Sequence, residues 1–290
     1  MNIIVTIPAF NEERTIGRVI DEIVGALAGY HSQILVLNDG SMDRTVDVAK
    51  AHGAIVFSHK RNKGLAQTFR EEMKQCLRLG ADAIVHTDAD GQYFAEDIPR
   101  LLKKIEEGYD LVLGSRFHGG NRHVPMLKRF GNWAFAVVLS QLTHIKLTDT
   151  TTGFRAFTRE IAQEISYINT FTYTQEQIIK AAKQQFRVTE IGIRTRRTRE
   201  SRLFKSPLQY AIKAWVNILR IYRDYEPLSF FLRIGGLFLS LGFLVGLFLF
   251  YQFVTPGSVI KVPITILCML LILIGIQIVL FGFLADMMRR

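Results

Sequence analysis

The sequence predicts an α/β domain followed by an amphipathic helix and a two-helix transmembrane hairpin. Three observations support that order. Short β-rich apolar runs alternate with helix-period stretches from the N-terminus onward, the alternation of a parallel α/β sheet. Polar, glycine-containing clusters stand where several of those runs end. Towards the C-terminus, two long stretches carry no charged residue at all.

In chain order, the first strand is Ile3 to Ile7, followed by a helix from Thr15 to Ala28, a strand from Ile34 to Leu37 and a helix from Asp43 to His52. A strand at Ala54 to Ser58, a helix at Leu65 to Arg78, a strand at Ala83 to Thr87, a helix at Glu96 to Glu107 and a strand at Leu111 to Leu113 continue the pattern. Ligands of open α/β sheets bind outside the carboxyl ends of the strands. Here those ends read Pro8-Ala9-Phe10-Asn11-Glu12, Asn38-Asp39-Gly40-Ser41 and Asp88-Ala89-Asp90-Gly91-Gln92.

Neither the interval from Arg233 to Lys261 nor that from Lys261 to Asp286 contains a charged residue between its ends. Each exceeds the roughly 20 apolar residues that cross a bilayer, so spans are expected at 232–254 and 263–285. Just before them, Leu208, Ile212, Trp215, Leu219 and Tyr222 recur at helical spacing while Lys213, Arg220 and Arg223 fall on other faces, which predicts an interfacial helix. The expected divisions are therefore an α/β domain at 1–205, an amphipathic helix at 206–228 and a hairpin at 229–290. Basic residues precede the first span (Arg220, Arg223, Arg233) and follow the second (Arg289, Arg290), whereas the connection holds only Lys261. That asymmetry predicts an integral membrane protein with its α/β domain and both termini in the cytoplasm.

Met1 to Ile7 reads as a strand rather than a leader. Cys76 and Cys268 are the only cysteines in the 290 residues, which offers neither a disulfide framework nor zinc-ligand spacing. The formal net charge is +10, but many basic residues gather between Arg194 and Arg233, next to the first span. Membrane lipid headgroups or phosphates are simpler partners for them than nucleic acid. Glycines within the spans (Gly235, Gly236, Gly242, Gly246, Gly275, Gly282) suit close helix contacts, within one chain or in a homo-oligomer.

Asp88 and Asp90 place two carboxylates on one loop, and Gln92 adds a neutral oxygen. Hard oxygen ligands in this pattern suit Mg²⁺ or Mn²⁺, ions that bind through one or two carboxylates together with substrate phosphates. Together with Pro8 to Glu12, Asn38 to Asp43 and Asn62 to Gly64, this loop resembles the inverting family 2 glycosyltransferases of the GT-A (Rossmann-like nucleotide-diphospho-sugar transferase) fold. Gly114-Ser115-Arg116, Thr152-Gly153-Phe154-Arg155 and the two spans narrow the resemblance to polyprenyl-phosphate glycosyltransferases, the group that includes dolichyl-phosphate mannosyltransferase.

The resemblance implies a nucleotide-sugar donor of the GDP-mannose or UDP-glucose type and a polyprenyl or dolichyl phosphate acceptor. On the donor side it implies Asp39 as acceptor for a nucleobase N–H, Pro8, Ala9, Phe10 and Glu12 around base and ribose, and Gly64, Asp88, Ala89 and Arg202 as further nucleotide contacts. Asp88, Asp90 and Gln92 would hold the metal, and Ser115, Arg116 and Arg129 the acceptor phosphate; Asp90 and Arg116 carry catalysis. Phe10 stands where the family often has tyrosine, leaving stacking alone. Asn38 replaces an acid and is either a binding residue or a turn residue.

A lipid monophosphate, with a second pKa near ~6, is largely dianionic at neutral pH and needs positioning and charge neutralisation rather than a general base. Glu176 is accordingly either an acceptor-side or a structural residue. Two alternatives remain at this point: transfer to a sugar hydroxyl, for which an acidic base motif and a Gln-x-x-Arg-Trp segment are missing, and a non-catalytic membrane scaffold, against which the intact Asp88, Asp90 and Gln92 stand.

Overall fold

The computed structural model describes residues 1–117, 126–165, 173–196, 216, 219–255 and 262–288. The chain divides into two compact units, Met1–Ala211 and Ile212–Arg290.

The first unit is built on a seven-stranded sheet. Its strands are β1 (Ile3–Ala9), β2 (Ser32–Asn38), β3 (Ile55–Ser58), β4 (Ala83–His86), β5 (Leu111–Ser115), β6 (Arg155–Thr158) and β7 (Val188–Gly192). They lie in the order β3-β2-β1-β4-β6-β5-β7. All neighbours run parallel except β6, which pairs antiparallel with both β4 and β5. The wholly parallel sheet expected from the alternation is thus a mixed one. The central strands read as continuous apolar runs because helices cover both faces.

Among the described residues, the α-helices of this unit are α1 (Ile16–Ala26), α2 (Thr45–Ala51), α3 (Leu65–Arg78), α4 (Ile98–Glu106), α5 (Met126–Thr143), α6 (Arg159–Glu164) and α7 (Tyr173–Lys183). α1 buries Ile16, Val19, Ile20 and Ile23, and α4 buries Ile98, Leu101, Leu102 and Ile105. Both sets follow the i, i+3, i+4, i+7 spacing of a single helix face. They close over Ile3, Val5 and Ile7 of β1 and Val85 of β4. Each such side chain contributes about 1.5–3 kcal/mol by leaving water.

Register brings the motif loops together. Ala9 at the end of β1 lies beside Asn38 at the end of β2, and Thr6 of β1 beside His86 at the end of β4. Because β6 runs the other way, its first residue, Arg155, pairs with His86 and with Leu113 of β5. The chain entering β6 therefore meets the chain leaving β4 and β5 on one edge of the sheet.

In the second unit, residues 219–225 are helical. They are followed by α8 (Pro227–Val254, 28 residues) and α9 (Val262–Met287, 26 residues). At 1.5 Å per residue these helices are about 42 and 39 Å long, more than the ~30 Å apolar thickness of a bilayer. Their most apolar windows have mean hydropathies of 2.2 and 2.9, and only 11% and 6% of those windows is buried, so both helices are long and apolar enough to cross a membrane and present their apolar sides outward. Four glycines form the seam between them. A Cβ at Gly235 would lie 2.7 Å from Val279, at Gly242 2.8 Å from Ile272, at Gly275 2.7 Å from Leu239 and at Gly282 2.7 Å from Phe231. Those glycines serve contacts inside the hairpin.

Candidate active site

The loops after β1 and β2 are knitted by their own polar groups. Asn11, in the left-handed region at φ 55°, accepts the Met42 N–H on its side-chain oxygen at 2.9 Å, and its own N–H donates to Ser41 Oγ at 2.9 Å. Asn38 is a turn residue: its Oδ1 accepts the Ser41 N–H at 2.9 Å and its Nδ2 donates to Ser58 Oγ at 3.1 Å. Gly40 has φ 76°, and a Cβ there would come within 2.7 Å of the Arg61 backbone, so only glycine fits the close passage of the two loops. The Glu12 N–H donates to Thr45 Oγ1 at 2.8 Å, while Thr15 Oγ1 donates to Glu12 Oε2 at 3.1 Å. Ala9 is buried, and Phe10 is 38% exposed at the rim, where a planar ligand could stack.

Asp39 is the organising residue of this side. Its Oδ1 accepts the Lys63 N–H at 2.9 Å and lies 2.9 Å from His59 Nδ1, and its Oδ2 accepts the Gly64 N–H at 2.9 Å. One carboxylate thereby folds the segment from His59 to Gly64 over the end of β2. His59, almost entirely buried, was not singled out by sequence pattern; nothing but proximity identifies it.

At the end of β4, Asp90 Oδ1 accepts the Gln92 N–H at 2.9 Å, a turn made by the side chain. Asp88 is half-buried beside it. Burial raises the Asp88 pKa; the His86 charge opposes that rise, the neighbouring Asp90 adds to it, and the Arg116 charge again opposes it. Among the described residues no group of three His, Cys, Asp or Glu side chains encloses a cation position. Two mutually repelling carboxylates at a loop tip instead match a hard divalent cation that completes its shell with substrate oxygens and water.

Gly153 closes this centre from the β6 side. A Cβ there would lie 3.0 Å from Asp88 Oδ1 and 3.1 Å from Oδ2, so the absence of a side chain lets the carboxylate approach. Tyr93 stacks on Phe154 with ring centres 5.0 Å apart, and burial followed by the Asp88 charge pushes its phenol pKa up, so it stays protonated. The Gln92 backbone carbonyl accepts the Arg196 N–H at 2.8 Å, and Tyr93 bridges Thr195. Arg196 lies over the Phe94 ring at 4.1 Å and holds both carboxylate oxygens of Glu22, at 2.9 and 2.7 Å. The arginine run thus starts against the Asp88–Gln92 loop; Arg202 itself lies outside the described residues.

At the end of β5, Arg116 meets Asp149. Burial disfavours the guanidinium charge, but the charge and hydrogen bonds of Asp149 together with the neighbouring Tyr93 and Asp88 outweigh it and raise the Arg116 pKa, so the cation is permanent. Thr151 Oγ1 accepts from Arg116 Nη2 at 2.7 Å and donates to Asn132 at 3.1 Å. Ser115 Oγ is hydrogen-bonded to Thr148 Oγ1 at 2.6 Å. Beside this group Phe117, Trp133, Val137, Leu147 and Thr148 line a largely apolar cavity of about 750 Å³. Arg129 belongs to α5, with its side chain outside the described residues.

Arg155 is a structural residue. It is fully buried and donates to Gln177 Oε1 at 2.8 Å, to the Thr174 carbonyl at 3.2 Å and to the Thr152 carbonyl. Glu176, 2% exposed, pairs with Lys180 at 2.8 Å. Sequence reasoning missed the Arg116–Asp149 pairing, Tyr93, and a buried contact between Glu72 and His86, because each depends on a fold contact rather than on a local pattern.

Comparison with known proteins gives a consistent relationship. Residues 4–166 match the family described as glycosyl transferase family 2. The dolichyl-phosphate hexose transferase of Haloferax volcanii is 34% identical over 190 residues, 65% of this chain and 80% of that protein. The dolichol-phosphate mannosyltransferase of Pyrococcus furiosus is 26% identical over 286 residues, 91% of this chain and 76% of that one. Among solved structures, glucosyl-3-phosphoglycerate synthase from Mycobacterium tuberculosis, in complex with Mn²⁺, UDP and phosphoglyceric acid, superposes with a TM-score of 0.61 at 22% identity, covering 76% of this chain and 77% of that one. That likeness is one of fold, and the fold is GT-A.

Proposed function

The chain belongs to glycosyl transferase family 2, and from that premise we propose that it transfers a sugar, with inversion, from a nucleotide-sugar donor to a polyprenyl or dolichyl phosphate at the cytoplasmic face of a membrane. The observation that carries this reading is the juxtaposition of a permanent cation, Arg116 clamped by Asp149, with the Asp88 carboxylate, whose pKa the Arg116 charge draws down against burial, and with Asp90 on the same loop. The sheet edge therefore offers an anion position next to a cation position, which is what an acceptor phosphate and a metal-bound diphosphate require. The names of the Haloferax and Pyrococcus relatives support a lipid phosphate as acceptor, and α8 and α9 supply helices able to hold the domain at the bilayer.

On the donor side, Asp39 keeps acceptor capacity for a nucleobase N–H while it holds Gly64, and Pro8, Ala9, Phe10 and Glu12 surround base and ribose. Asp88 and Asp90, with Gln92, are the residues that would hold Mg²⁺ or Mn²⁺, and such an ion when bound neutralises the departing nucleoside diphosphate. Ala89 and Arg202 complete the donor contacts, and Ser115, Arg116 and Arg129 bind the acceptor phosphate. A dianionic phosphate oxygen attacks the anomeric carbon without a general base. The engagement of Glu176 with Lys180 supports a structural role for that carboxylate.

Transfer from labelled UDP- and GDP-sugars to polyprenyl phosphate by the purified full chain tests the proposal. The expected result is an organic-phase product from one class of donor, lost with chelator and in Asp90→Ala. Failure of every donor to label lipid, with folded protein, would overturn it.

A further inference from the structure

Glu72 lies on the inward face of α3 with Phe69, Met73 and Cys76, where helical spacing calls for an apolar side chain, and it is fully buried. Its Oε2 is 3.3 Å from Nε2 of His86, the last residue of β4, which is equally withdrawn from water. An isolated carboxylate in such a place costs several kcal/mol. Among the described residues neither Glu72 oxygen makes a regular hydrogen bond, and the charge partner is His86.

The other ring nitrogen explains why a histidine stands there. His86 Nδ1 is 2.9 Å from the carbonyl oxygen of Gly153, and because a carbonyl only accepts, Nδ1 carries a hydrogen. Nε2 and the Glu72 carboxylate are then left to face each other. The ring is packed against Phe69 and Tyr173, with centres 5.1 and 6.1 Å away. Gly153 is held on its amide side as well, its N–H directed at Tyr93 Oη at 3.4 Å. The residue so braced is the wall on which Asp88 rests, with room of only 3.0 Å between a would-be Cβ and Asp88 Oδ1.

We propose that His86, with Glu72 as its buried charge partner, is a positioning residue: acting through the Gly153 backbone, it fixes the orientation of the Asp88 carboxylate and so sets the affinity of the site for a divalent cation. The inference rests on the reading of Asp88 as a cation-holding residue. It extends that reading to a buried pair that touches neither donor nor acceptor. Partners one layer behind a ligand typically change metal affinity by about 10–100-fold when removed.

The test is Mn²⁺ titration of the full chain in detergent with UDP or GDP present, reading free Mn²⁺ by electron paramagnetic resonance with a protein-free blank, alongside Tm without metal. Removing one partner would strand a buried charge, so both are replaced together, a change that leaves stability about neutral when shapes fit. E72L/H86L is expected to keep its Tm yet bind Mn²⁺ about 10–100-fold more weakly. E72L/H86N, whose amide can still donate to the Gly153 carbonyl, is expected to recover most of the loss. Unchanged Mn²⁺ affinity in E72L/H86L, or no recovery in E72L/H86N, would overturn the inference. Should E72L/H86L fail to fold, E72Q/H86F takes its place, since it also removes the donor to the Gly153 carbonyl: Mn²⁺ affinity about 10–100-fold weaker supports the brace, and unchanged affinity overturns it. If Asp88→Asn leaves Mn²⁺ binding intact, the cation reading falls and this inference with it. If Asp88→Asn abolishes binding while the variant lacking the donor to the Gly153 carbonyl retains wild-type affinity, only the inference falls.

Discussion

Arg116 and Asp149 form a two-point ion pair, Nε 2.7 Å from Oδ2 and Nη2 2.9 Å from Oδ1, with Asp149 completely buried. The planar fork of the guanidinium makes that geometry, and lysine cannot reproduce it. Arg116→Lys is expected to lower kcat/KM for the lipid phosphate by about 10–100-fold, the equivalent of one charge-assisted hydrogen bond, with little change in donor KM. Asp149→Ala strands the cation and is expected to cost roughly 3 kcal/mol in denaturant unfolding of the domain. Equal loss of donor and acceptor affinity in Arg116→Lys would contradict an acceptor-side role.

Burial of Asp88, with Asp90 beside it, gives a metal-linked stability signature. With its folded pKa raised above the ordinary 3.8, Asp88 contributes stability at pH below that value, and the contribution is lost as pH rises through the raised folded value. A bound cation reverses the penalty. At neutral pH, Mn²⁺ at 100 times its Kd is expected to add about 2.7 kcal/mol of stability, seen as a rise in Tm. Asp88→Asn should be insensitive to Mn²⁺ and should lose the pH-dependent decline.

Asp39 binds three groups of the 59–64 segment through two oxygens, and an asparagine has only one oxygen to offer. Asp39→Asn should therefore release the Lys63 or Gly64 amide. Hydrogen exchange at those amides is expected to accelerate, and donor KM to rise more than kcat falls. Unchanged exchange with a raised KM would assign Asp39 to the nucleobase alone.

The hairpin seam distinguishes adjacent glycines. A Cβ at Gly235 would lie 2.7 Å from Val279 and 2.9 Å from the Gly275 carbonyl, whereas one at Gly236 meets nothing within 4 Å. Gly235→Leu is expected to cost about 1–3 kcal/mol through overpacking, and Gly236→Leu to leave the Tm of the detergent-solubilised chain unchanged. Equal sensitivity of both positions would contradict the seam.

What could be read from the sequence was local. The helix over Leu65–Arg78 appears with the residues its spacing predicts, and the loops after β1, β2 and β4 fall where apolar runs give way to polar clusters. The antiparallel β6 escaped notice because four residues after a threonine-rich turn carry too little pattern, and their strand character comes from pairing with β4 and β5. Arg116 could be singled out as the residue after a Gly-Ser strand end, but its ion pair with Asp149 bridges a separation of 33 residues that spacing does not reveal. Glu72 was illegible for the opposite reason: in the sequence it reads as a surface charge, and only the packing of α3 on the sheet places it opposite His86 of β4. In each case the missing information is a long-range contact.

The most direct test of lipid-phosphate glycosylation is ³¹P nuclear magnetic resonance of polyprenyl phosphate incubated with the full chain, Mn²⁺ and the donor that labels lipid. Conversion of the acceptor phosphomonoester resonance to a phosphodiester, absent in Asp90→Ala, is the expected result. Consumption of the donor with the monoester resonance intact and the sugar attached to a hydroxyl would contradict it.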